Sequence, residues 1–134
     1  MTETPQSPGT PHHEFSTAIS NEMVHLYKEL FGRGPTRAWT HFGGPDTIIC
    51  SLERTFTPAE RSLAAMGEHQ RLRETRMFFQ HARERDFRDA VERITGRRVT
   101  AFVSGTDTTA DVSCEVFYLE PATRLAIGGD VESK

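Results

Sequence analysis

Only two cysteines, Cys50 and Cys114, occur in the 134 residues, far apart and neither in a CxxC pair. That excludes a disulfide framework or a zinc ribbon as the organising device. Lysine is nearly missing, with Lys28 and Lys134 against fourteen arginines, and there is a single tryptophan. No apolar run approaches the ~18 residues needed to cross a bilayer, and the mean hydropathy is −0.53. The opening stretch, rich in Thr, Pro, Ser and Gly, lacks the basic-then-apolar order of a secretory signal. The expectation is a cytoplasmic protein with no direct membrane insertion. What is present, 36% hydrophobic and 26% charged residues at a formal net charge of −3, suits one small domain with short tails.

Residues 1–14 carry Pro5, Pro8, Gly9 and Pro11 and no apolar periodicity, so they are expected to form a disordered tail. A flexible C-terminal tail is expected over 122–134, leaving a domain at 15–121. Phe15, Ile19, Met23, Leu26, Tyr27 and Leu30 recur at three- and four-residue steps and predict a helix from about Ser16 to Phe31. Gly32 supplies a left-handed stop, and Gly34-Pro35 blocks continuation. Thr36–Phe42 and Thr47–Arg54, separated by Gly43-Gly44-Pro45-Asp46, read as a β-hairpin. Thr57-Pro58-Ala59-Glu60 combines a capping Thr, Pro at the first helical position and Glu three residues after the cap, which opens a short second helix.

A long helix is then expected over Glu68–Thr95, with Leu72, Phe79, Ala82, Phe87, Ala90, Val91 and Ile94 on one side and Gly96 closing it. Strands at Arg98–Ser104 and Val112–Glu120, joined by the polar segment 105–111, make a second hairpin. The fold class that follows is α+β. It is a single domain with a four-stranded, mainly antiparallel sheet of two hairpins and three helices on one face, in the order α-β-β-α-α-β-β.

The arginines invite a nucleic-acid reading, since nine of them fall in residues 68–98. Six acidic residues interleave with them, leaving a net of +3, and Glu84–Arg88 and Asp89–Arg93 have the favourable four-residue spacing. A mixed, salt-bridged face outweighs a basic stripe, and nucleic acid is an unfavoured partner carried as the alternative, with Arg73, Arg76 and Arg83 as its binding residues. A small-ligand site is the other alternative. Arg33, in Gly32-Arg33-Gly34-Pro35-Thr36, has the planar fork for an anion or a partner's carboxylate. The turn follows a helix C-terminus, where carbonyls rather than amides are free, so capping outweighs phosphate binding. No catalytic residue, metal site or cofactor is predicted. Cys50 and Cys114 read as strand residues among apolar neighbours, and only His41 with Cys50 is worth testing as a dyad.

At Ile19-Ser20-Asn21-Glu22-Met23-Val24, Tyr27-Lys28-Glu29 and Gly32-Arg33-Gly34-Pro35-Thr36 the chain resembles the MpsC-like domain family. The resemblance continues at Leu52-Glu53, Thr57-Pro58-Ala59-Glu60-Arg61, Phe87, Val91, Thr95-Gly96-Arg97, Ala101-Phe102, Val116-Phe117 and Leu119-Glu120-Pro121, covering about residues 16–121. It departs from the family pattern at Ala38–Pro45, so a ligand read by that hairpin is not carried over. The family takes its name from a sodium-translocating, membrane-potential-generating system. The resemblance implies a small soluble protein, encoded in some bacteria beside membrane proteins for sodium transport or inorganic-carbon uptake, with no catalytic residues to transfer. A non-enzymatic accessory or regulatory role is therefore expected, exerted by contact with a protein partner such as a membrane transport complex at the inner face of the membrane. Exposed edge strands add a homodimer to the expected partners.

Overall fold

The computed structural model describes residues 11–121. Helix α1 (Pro11–Phe31) is followed by strands β1 (Arg37–Phe42) and β2 (Thr47–Glu53). Helices α2 (Pro58–Ala65), α3 (His69–Ala82) and α4 (Glu84–Thr95) come next, then strands β3 (Val99–Asp107) and β4 (Val112–Leu119). The four strands form one antiparallel sheet in the order β1-β2-β4-β3. Each hairpin pairs locally, and the β2–β4 ladder joins them. The fold is α+β as expected, with four helices in place of three.

Three expectations need correction. Helix α1 begins at Pro11 rather than near Ser16, so residues 11–14, assigned above to a tail, are helical. The tails assigned to residues 1–10 and 122–134 otherwise lie outside the described residues. The single helix expected over 68–95 is two helices broken at Arg83, whose φ of −113° and ψ of 18° leave the helical region. No Gly or Pro marks the break. Its cause is tertiary, because α3 must bury Leu72, Arg76 and Gln80 while α4 buries Phe87, Ala90 and Val91. Keeping both faces inward requires a change of axis between them. Glu84 and Asp86 in the new first turn complement its dipole, and Asp86 bonds back to Arg83. Strand β3 also runs to Asp107, three residues beyond its expected end.

The capping signals are where the sequence puts them. Gly32 and Gly96 take φ of 78° and 73° and stop α1 and α4. Gly34 lies against the last turns of α1, where an added Cβ would come within 2.9 Å of the Lys28 side chain. Thr57 and Glu60 form both halves of a capping box on α2, with Pro58 at the first helical position.

Alternation sorts the sheet into two faces. Ile48, Cys50, Leu52, Phe117 and Leu119 point into a core completed by Ile19, Met23, Leu26 and Tyr27 of α1 and Phe87, Ala90 and Val91 of α4. Helices α1, α3 and α4 contact the sheet, and α2 packs on α3 at its rim. The opposite face presents the cross-strand row His41, Ile49, Val116, Val103 and, beside it, Trp39, Ser51, Cys114 and Gly105.

Candidate functional site

Two polar side chains occupy the core side of the sheet where apolar ones are the rule. Glu115, midway along β4, has none of its surface exposed, and Arg76, midway along α3, has none either. Helical spacing places Gln80 one turn after Arg76. Gln80 donates to Glu115 Oε2 at 2.8 Å and to the Tyr27 hydroxyl at 3.2 Å, and the Tyr27 hydroxyl donates to the same carboxylate oxygen. Ser104 stands directly across the ladder from Glu115. Among the described residues neither Ser104 Oγ nor Glu115 Oε1 has a hydrogen-bond partner, although both are buried.

Burial raises the Glu115 carboxyl to about 7, against the opposing pull of the Tyr27 and Gln80 hydrogen bonds, of the nearby Ser104 hydroxyl and of the Arg76 charge. The Tyr27 phenol is also pushed up, first by burial and then by Glu115, so it remains a neutral donor.

Arg76 faces the other way along α3. Its Nη2 and Nε reach Glu60 Oε1 and Oε2 at 2.7 and 2.8 Å, a two-pronged pair, and Nη2 also donates to the Thr55 carbonyl at 3.0 Å. The guanidinium carbon lies 3.7 Å from the Phe31 ring centre and 5.1 Å from that of Phe56, favourable cation–π positions. For Glu60, burial would raise the carboxyl, but the bonds from Arg76 and Thr57 outweigh it and hold the group below its ordinary value.

The stretch between β2 and α2 gathers further polar contacts. Arg33 and Arg61 donate to the Phe56 carbonyl at 3.0 and 2.9 Å, and the Asp111 carboxylate accepts from the Thr55 and Phe56 amides at 2.9 and 3.2 Å. Arg33 is thus a backbone clamp, and it converges with Arg76 on residues 55–56. Arg73 goes elsewhere, to Thr108 in the β3–β4 turn at 3.3 Å, and Arg83 bonds Asp86 and Glu29. These four arginines do not form a stripe, and Arg76 is not on the surface.

Along α4 an open groove of about 890 Å³ is lined by Arg85, Arg88, Arg97 and Arg98 among Glu84, Asp89 and Glu92. Arg88 pairs with Glu84 at 2.8 Å, while Arg97 bonds Asp46 and the carbonyls of Pro45 and Glu120. The face is a mixture of both signs.

The His41–Cys50 pair does not form. Thr40 opposes Cys50 while His41 opposes Ile49, so the two side chains leave opposite faces of the sheet. Cys50 is fully buried, and burial pushes its thiol up to about 12, well away from nucleophile territory. Cys114 lies half-buried on the outer face, and burial raises it too. Among the described residues no three His, Cys, Asp or Glu side chains gather as a metal site. No helix among them is long and apolar enough to cross a membrane.

The sequence model of the Na+-translocating membrane potential-generating system (MpsC) family matches residues 12–121. The chain belongs to the MpsC family. The match spans α1 to the end of β4, so the clamp at 55–56 and the Glu115 network both lie within the family domain. Neither a curated protein nor a solved structure matches the chain.

Glu115, Gln80 and Asp111 escaped the sequence reading. Strand alternation alone lets Glu115 face either side, and the register that sets it opposite Cys50 of β2 turns it inward. Asp111 offered one signal, a polar residue closing a hairpin loop, where it takes a left-handed φ of 58°.

The exposed side of α3 differs in character from the rest of the surface. Met77, Phe78 and Phe79 in succession are 51, 68 and 40% exposed, with Phe78 edge-on against Phe79. Beside Met77, between α3 and β3, opens a cavity of about 220 Å³ lined also by Gln80, His81, Glu84, Phe102, Val103 and Ser104.

Proposed function

We propose that this MpsC-family protein is a cytoplasmic accessory or regulatory subunit of a membrane system for sodium translocation or inorganic-carbon uptake, and that it works by contact rather than by catalysis. The exposed Met77-Phe78-Phe79 run on α3 carries this reading. Three large apolar side chains in succession on one helix are costly to leave in water and suit an apolar segment of a partner protein. The family name supplies the kind of partner, a component of the membrane-potential-generating system. Methionine beside an aromatic ring also suits a surface that repacks around a helix or loop.

The test is capture of native membrane proteins on the immobilised chain. The expected result is enrichment of a membrane protein that is lost with Met77→Glu and Phe78→Glu together. Tyr118→Glu, on the outer face of the sheet, retains it. No membrane protein enriched above a control removes the accessory role, and equal capture by both variants moves the contact away from α3.

A further inference from the structure

The charges of the interior do not cancel. Arg76 is matched by Glu60 through two short hydrogen bonds, so an ionised Glu115 would be a surplus negative charge. Its donors among the described residues, Tyr27 and Gln80, are neutral and both bind Oε2, leaving Oε1 bare. An unpaired buried charge is the most expensive arrangement a core can hold. One added positive charge at Oε1 removes the surplus, and the two partnerless oxygens, Glu115 Oε1 and Ser104 Oγ, belong to residues paired directly across the ladder. We propose that Glu115 is a proton-binding site: the folded protein holds a proton on Oε1, facing Ser104 Oγ, and exchanges it with solvent through the cavity between α3 and β3.

Access and surroundings both favour this. Gln80 and Ser104 belong at once to the Glu115 network and to the wall of the 220 Å³ cavity, so the carboxyl is one side chain from water. The titratable and charged neighbours are few. Helix α1 contributes Tyr27, α3 contributes Arg76 and, at the cavity, His81, and α4 contributes Glu84 there. Strand β2 places Cys50 opposite, its thiol pushed up to about 12 and therefore neutral. Strand β3 contributes only Ser104, the neighbouring Cys114 points to the other face, and Glu60 of α2 acts through Arg76. With the carboxyl raised to about 7 by burial, the proton is taken up and released near neutrality.

The direct test is the side-chain carboxyl ¹³C shift of labelled glutamate followed through pH. One resonance is expected to titrate with a midpoint near 7 and to be missing in Glu115→Gln. The sign of the stability effect is fixed. The folded-state value lies above the unfolded one, so the contribution is complete below the ordinary carboxylate value and is lost as pH rises to about 7. Within that window the folding equilibrium constant falls roughly tenfold per pH unit in the native protein, and Glu115→Gln removes that slope. Because the labelled native chain carries the first measurement, the result stands even where Glu115→Gln does not fold. All glutamates titrating in the ordinary range would overturn the proposal. So would a midpoint that falls when sodium chloride replaces choline chloride at equal ionic strength, because a metal ion would then supply the charge.

Discussion

Arg76 shows how much one side chain can hold together. It joins α3 to the α2 cap through Glu60, to the backbone at Thr55, and to the rings of Phe31 and Phe56. Truncating it strands Glu60 beside the core with its countercharge gone. Arg76→Ala is expected to cost about 3–5 kcal/mol in urea unfolding. The pH dependence of this pair runs opposite to that of Glu115. Glu60 is held below its ordinary value, so its stabilisation is present above that value and is lost as pH falls through the folded-state one. Thermal unfolding scans should therefore show a decline on the acid side that Glu60→Gln flattens. Neither role was legible in the sequence. An arginine in a run of nine reads as surface, and the pairing that buries it joins residues 16 positions apart on different helices.

At the scale of elements, helix ends were far more legible than helix interiors, because a cap is decided by a few adjacent residues. Gly96 and the Thr57–Glu60 box needed no knowledge of the fold. The break at Arg83 did, since it follows from which faces α3 and α4 must bury, and the residues around it have ordinary helical preferences. Hairpin strands were legible in position but short by three residues in β3, where Gly105-Thr106-Asp107 continues the ladder despite its polar composition. Gly96→Ala gives a local test. Open space surrounds the position, but its φ of 73° is one that a Cβ resists. A loss of about 1 kcal/mol is expected, and a thermal midpoint unchanged from the native protein would show that α4 ends by another means.

For the molecule as a whole, the sheet has two edges that no other strand covers among the described residues, and they are unequal. Strand β3 carries no charged side chain from Val99 to Thr106, so the usual guard against edge pairing is missing there. Antiparallel pairing of β3 with its counterpart in a second copy would give a continuous eight-stranded sheet about a two-fold axis. Light scattering at micromolar concentrations is expected to report a dimer, with Val103→Lys returning it to a monomer. A monomer mass for the native chain throughout that range would remove the homodimer.

The β2–β4 ladder also governs the order in which the fold is assembled. Each hairpin closes over a short loop, but Cys50 meets Glu115 only after the three intervening helices have been gathered in. Loop-closure entropy makes that junction the slow one. The hairpins and α1 can form early as separate local units, whereas the sheet becomes continuous in a single late docking event. Glu115 leaves water at that moment, and its desolvation therefore contributes to the barrier as well as to the final state.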